Sequence, residues 1–136
     1  MEYPSSATYA ATAATERMAS ARRFLEMGKR ETRDARAHAN RPMEQQAAEK
    51  VFHALEEALT GRVQKYGRKP PGDHVRLRNE LMSMGDTDLA DFFWDCFLKL
   101  HVGMWYRGVV QPPILDKLTA KIEATLDRIE RDMRRR

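Results

Sequence analysis

The 136-residue chain holds one cysteine, four histidines and no long uncharged apolar run. A single thiol, Cys96, cannot close an internal disulfide, so the sequence predicts a fold independent of oxidation, as in the cytoplasm. With no run of about 18 apolar residues, a membrane span is not expected. The opening MEYPSSATYAATAATER has neither a basic start nor an apolar stretch, so no secretory leader is expected. The scattered histidines form no zinc motif. A glycine-rich phosphate loop, a Ser-His-Asp order and a paired-carboxylate spacing are missing as well. The expectation is therefore no catalytic residue, no metal and no cofactor.

What is present reads as one helical domain over 1–136, with residues 1–9 as a flexible or loosely helical start. Hydrophobic residues reach 42% and the mean hydropathy is −0.68, too apolar for a disordered chain. Lys and Arg exceed Asp and Glu by 24 to 20. The distribution matters more than the sum. Residues 17–41 carry eight basic side chains against three acidic ones, and Asp86, Asp88, Asp91 and Asp95 form an acidic island. A molecule polarised this way can attract a polyanion or dock on a second copy. The candidate nucleic-acid surface is Arg22, Arg23, Lys29, Arg30, Arg33 and Arg36, joined by Arg68 and Lys69. Only Phe24 and Tyr66 lie near it, so such binding would follow the phosphate backbone.

Apolar residues recur at three- and four-residue steps, and no segment alternates long enough for a strand. The first helix starts between Ser6 and Thr15 and ends near Asn40, because Pro42 disfavours a helical Arg41. The second opens at Pro42 and carries Ala47, Val51, Leu55 and Ala58, widened by Phe52, Leu59, Val63 and Tyr66, with Gly61 marking a bend or a close approach. A loop, GRKPPGD, leads to a short third helix from His74 to Met84, capped by Asp73. The fourth, from Thr87 to Tyr106, is apolar almost all round and is expected at the centre. The fifth shows Leu115, Leu118, Ile122, Leu126, Ile129 and Met133, with acid-before-base pairs Asp127–Arg131 and Glu130–Arg134. The fold class is an all-α, up-and-down bundle of four long helices plus one short one.

Few groupings could carry chemistry. Glu49, His53 and Glu57 recur at four-residue steps and make the best local case for a divalent ion, but such a trio more often only raises the imidazole's proton affinity. His101 is expected half-buried with one hydrogen bond, His74 as a loop support, and Cys96 as an inert apolar thiol. Six aromatics fall within residues 92–106. More than one face of a helix must therefore be covered, and Phe93, Trp94, Trp105 and Tyr106 are the candidate interface of a dimer. Arg107 could stack on that face.

QAAEKVFHALEEAL (46–59), a glycine/proline loop followed by a histidine, and CFLKLHVGMWYRG (96–108) together resemble the archaeal PaREP family of HEPN-like helical bundles. ARRFLEMG, ending at Gly28, is similar to that family's first helix. The resemblance covers residues 15–135, with some extra residues between Gly28 and Gln46. It implies a HEPN-like bundle, often dimeric. HEPN-like ribonucleases carry an Arg followed a few residues later by a His, and Arg33–His38 and Arg68–His74 have that spacing. In a chain this rich in arginine, chance supplies as many pairs, so neither is assigned. Three functions follow as expectations: a non-catalytic helical binding module, dimeric or docked on a macromolecule; a ribonuclease or toxin–antitoxin component; or a nucleic-acid- or ribosome-associated protein.

Overall fold

A computed structural model describes residues 6–135, all helix and connecting loops; residues 1–5 of the expected loose start lie outside them. The elements are α1 (Ser6–Ala37), α2 (Arg41–Lys65), α3 (His74–Ser83), α4 (Thr87–Cys96), π1 (Phe97–Tyr106) and α5 (Pro112–Arg134). Residues 6–9 of the expected loose start belong to α1. The all-helical class stands, and the five expected helices pack together.

Caps explain most boundaries. Asn40 accepts from the Met43 amide at 3.1 Å and Pro42 sits in the first turn of α2. Asp73 accepts from the Arg76 amide at 2.8 Å and starts α3, as the Gly-Asp turn suggested. α1 stops at Ala37, because Ala39 takes a left-handed φ of 49° and turns the chain.

The centre of the bundle is α2, which touches every other element, and not the fourth helix. Small residues make this possible. Val51 Cγ2 lies 2.7 Å, and the Ala47 carbonyl 3.2 Å, from where a Cβ on Gly28 would stand. At Gly61 the Arg17 Cβ and the Ala14 carbonyl come as near as 3.0 and 3.2 Å. The α1–α2 pair thus docks backbone against backbone, and Gly61 is a close approach. Ala47, Ala54, Ala58 and Leu55 fill the seam on α2, and Leu115 to Ile129 close it from α5.

Two expectations on the helices fail in instructive ways. Tyr66 does not widen the stripe of α2; it is exposed at the C-cap with the Arg62 guanidinium 5.6 Å above its ring. Arg62 itself is half-buried through its ion pairs with Asp86 (2.7 Å) and Asp132 (3.3 Å). On α5, Asp127 and Glu130 are taken by Arg22 of α1, each at 2.5 Å, which leaves the expected Asp127–Arg131 pair unmade.

Candidate functional site

The fourth helix changes winding halfway. α4 is α-helical to Cys96, and Phe97–Tyr106 is π-wound, ending with the Arg107 amide on the Val102 carbonyl at 2.9 Å. π-winding is rare and concentrates at functional sites. Along it runs a ladder of rings: Trp94 on Phe97 (4.7 Å), Phe97 on His101 (5.3 Å) and His101 on Trp105 (5.1 Å), all within 26° of parallel. Arg78 of α3 caps the ladder, its guanidinium 4.9 Å from the Trp94 ring. The expected Arg107 stacking is not among the cation–ring contacts of the described residues.

Behind the ladder, three histidines and two glutamates converge from α2, α3 and π1. His101 Nδ1 meets Glu49 Oε2 at 2.8 Å. Glu49 Oε1 meets His53 Nε2 at 3.2 Å, and His53 Nδ1 meets Glu56 Oε1 at 3.1 Å. Glu56 Oε2 meets His74 Nε2 at 2.7 Å. The His74 and His101 ring centres then lie 5.0 Å apart with their planes tilted by 52°, so the five groups close into a ring. Its floor is Phe52, fully buried, within 5.6 Å of the centres of His74 and His101.

The electrostatics match this geometry. The hydrogen bond with Glu56 raises His53 above its ordinary range, against the opposing effect of burial and with help from the charge of Glu49. Burial pushes Glu56 up, but the His53 hydrogen bond and the charge of His74 more than offset it and hold the carboxyl low. Burial drives the Cys96 thiol up to about 12, which keeps it unreactive as expected.

His101 has its acceptor, as the sequence suggested, but His74 does more than support a loop. It borders a cleft of about 330 Å³ lined by Arg17, Glu56, Thr60, Asp73 and Leu77. The proposed trio on α2 is also redrawn. Glu49 and His53 belong to the ring, whereas Glu57 turns to Arg17 at 2.9 Å and Glu56 takes its place. Among the described residues no group of three or more such side chains is set to hold a metal ion.

The interface candidates separate. Phe93 is fully buried, stacked 5.6 Å from Phe52, and leaves the candidate interface because its ring belongs to the core. Trp94 is half-buried between Phe97 and Arg78. Trp105 and Tyr106 are 37% and 79% exposed, and Leu98 and Val109 join them. Of the candidate nucleic-acid residues, four are engaged: Arg22, Lys29 with Glu123, Arg36 with Glu44 and Asp116, and Arg68 with Glu80. Arg23, Arg30, Arg33 and Lys69 are exposed. Arg68 and His74 line different clefts, and His38, exposed in the turn after α1, lies 2.9 Å from the Asp34 carbonyl. Neither Arg–His pair converges.

No family model, curated protein or solved structure matches the chain. Among the described residues no helix is long and apolar enough to cross a membrane.

Proposed function

We propose that the protein is a non-catalytic helical binding module whose partner across the outer stripe of α4 and π1 is a second copy of itself. One observation carries the reading: Leu98, Trp105, Tyr106 and Val109, four large apolar side chains on π1 and just beyond it, are left exposed. About two turns of α winding separate Asp91 from Leu98 and about two turns of π winding separate Leu98 from Arg107, so these three share a side of the helix, whereas the π winding turns Trp105 toward the ladder. Asp91 and Arg107 are exposed at the two ends, and neither has an ion pair among the described residues. Antiparallel pairing of two copies about a two-fold near Leu98 sets each Asp91 against the other's Arg107. Light scattering on the intact protein is expected to give twice 15.8 kDa, and the double variant L98E/W105E to give 15.8 kDa with unchanged helical circular dichroism. An intact chain that stays at the monomer mass at every concentration defeats the reading.

The likeness to HEPN-like bundles of the PaREP family belongs to the same proposal. What supports it is that the residues carrying the likeness, 46–54, the histidine after the loop and 100–108, supply Glu49, His53, His74 and His101. The separated Arg–His pairs give a ribonuclease reading no support.

A second reading has its own observation. Arg23, Arg30 and Arg33 are exposed, have no ion pair among the described residues, and recur at seven and three residues along α1. Such a stripe would hold a nucleic-acid backbone. Titration of RNA and duplex DNA is then expected to weaken several-fold between about 50 and 200 mM salt. Equal affinity for the chain with Arg23, Arg30 and Arg33 changed to Ala makes the stripe a solubilising one.

A further inference from the structure

Glu49, His53, Glu56, His74 and His101 come from three elements, and the centre of their ring is His53. Each of its two nitrogens faces a carboxylate oxygen, Nε2 on Glu49 at 3.2 Å and Nδ1 on Glu56 at 3.1 Å. An ionised carboxylate only accepts, and a neutral imidazole has a single N–H. The Glu56 contact is a hydrogen bond and the Glu49 contact a close charge pair, so a neutral ring donating from Nδ1 turns the Nε2 lone pair on the Glu49 oxygen, and both contacts are favourable only when the ring carries two protons. We infer that the protonated His53 is a pH-operated clasp, joining the two glutamates that hold α3 through His74 and π1 through His101.

The consequence of losing that proton follows from the connections. A neutral His53 turns a lone pair on one carboxylate, and that glutamate must swing away or take up a proton. If Glu56 leaves, α3 loses its His74 anchor on α2. α3 has few other contacts with α2 and follows the loop 66–73, so it is the element with least to hold it. The charges around the ring are already committed. On α2, Glu57 also favours the charged His53 and is paired with Arg17 of α1, and Lys50 is paired with Glu31. On α3, Arg78 lies over Trp94. Among the described residues no hydrogen bond or ion pair reaches the ring from α4 or α5.

The sign is set by the two shifted groups. His53 is raised, so its contribution is complete below its ordinary 6.5 and is lost as the pH rises through the higher folded value. Glu56 is lowered, so its contribution is complete above its ordinary 4.5 and is lost as the pH falls through the lower folded value. The clasp is tightest between those two ordinary values.

Hydrogen exchange of the intact chain, corrected for intrinsic rates, tests this at pH ~6 and ~8. Protection of residues 74–83 is expected to fall several-fold at the higher pH, while α1 and α5 keep theirs. H53Q is expected to lose the difference, whereas H38Q, changed at an exposed histidine, retains it. Should H53Q not fold, the ¹⁵N shifts of the His53 ring in the unsubstituted protein decide, and both nitrogens are expected protonated near pH 6. A neutral ring there, or equal protection at the two pH values, overturns the inference. So does a pH response that disappears on adding a chelator, because a metal ion would then be the cation.

Discussion

Replacing Phe52 with alanine lowers the unfolding free energy by about 3–5 kcal/mol, the cost of emptying a large buried ring site that the surroundings cannot refill. Phe52 is fully buried on the central helix. It stacks on Phe93 at 5.6 Å and lies within 6.1 Å of the ring centres of Phe97 and His53. His74 and His101 rest on the same ring. Truncation therefore removes apolar burial from the core and the floor from under the histidines at once. Tyr9→Ala, at 58% exposure on α1 and outside the proposed dimer surface, is the matched control and is expected to move stability by no more than about 0.5 kcal/mol. Chemical denaturation of both variants measures the contrast. A loss below ~1.5 kcal/mol at Phe52 would mean that the core collapses around the hole.

The same residue shows what a linear reading of the sequence can reach. The stripe Ala47, Val51, Leu55, Ala58 is legible because helical periodicity selects the buried face directly, and the five buried residues of α5 are legible for the same reason. Asp73 is legible as a cap because it follows a glycine. The place of the fourth helix is not legible. Its apolar load suggests a central element, but apolarity measures what could be buried and not what is. α2 wins the centre because its alanines and Gly61 let α1 approach closely, while Leu98, Trp105 and Tyr106 stay outside. The π-winding has no signal at all in the spacing, since three- and four-residue steps are those of an ordinary α-helix.

The site was legible only in its local half. Glu49 and His53 stand four apart on one helix and could be paired on paper. His74 and His101 lie 21 and 48 residues beyond His53, and only the packing of α3 and π1 on α2 brings them to the same two carboxylates. The choice of Glu56 over Glu57 was likewise a tertiary matter. Both lie within a helical turn of His53, and Arg17 of α1, by binding Glu57, separates them. Periodicity finds a face of a helix; it does not say which neighbour will meet that face.

Replacing Glu49 with alanine is expected to cost about 3 kcal/mol at pH ~6, because the charge-assisted hydrogen bond to His101 and the close charge contact with His53 are both lost, and His101 is left without its acceptor. Glu49 is buried and, among the described residues, is the only carboxylate that reaches both His101 and His53. Removing it also withdraws one of the negative charges that favour the protonated His53, whose affinity for its proton then falls back toward the ordinary range. The cost must therefore depend on pH with a defined sign. Below about pH 6.5 the unsubstituted protein has the full benefit of a charged His53 between two carboxylates, and the variant has lost half of it. As the pH rises through the raised folded value of the unsubstituted protein, His53 gives up its proton, and the difference between the two proteins shrinks. E49Q keeps the shape and one acceptor without the charge, so it should recover part of the loss at pH ~8.5 and little of it at pH ~6. Urea denaturation of the three proteins at the two pH values reads these differences directly. If Glu49→Ala costs the same at both, Glu49 contributes packing alone and the ring holds no proton.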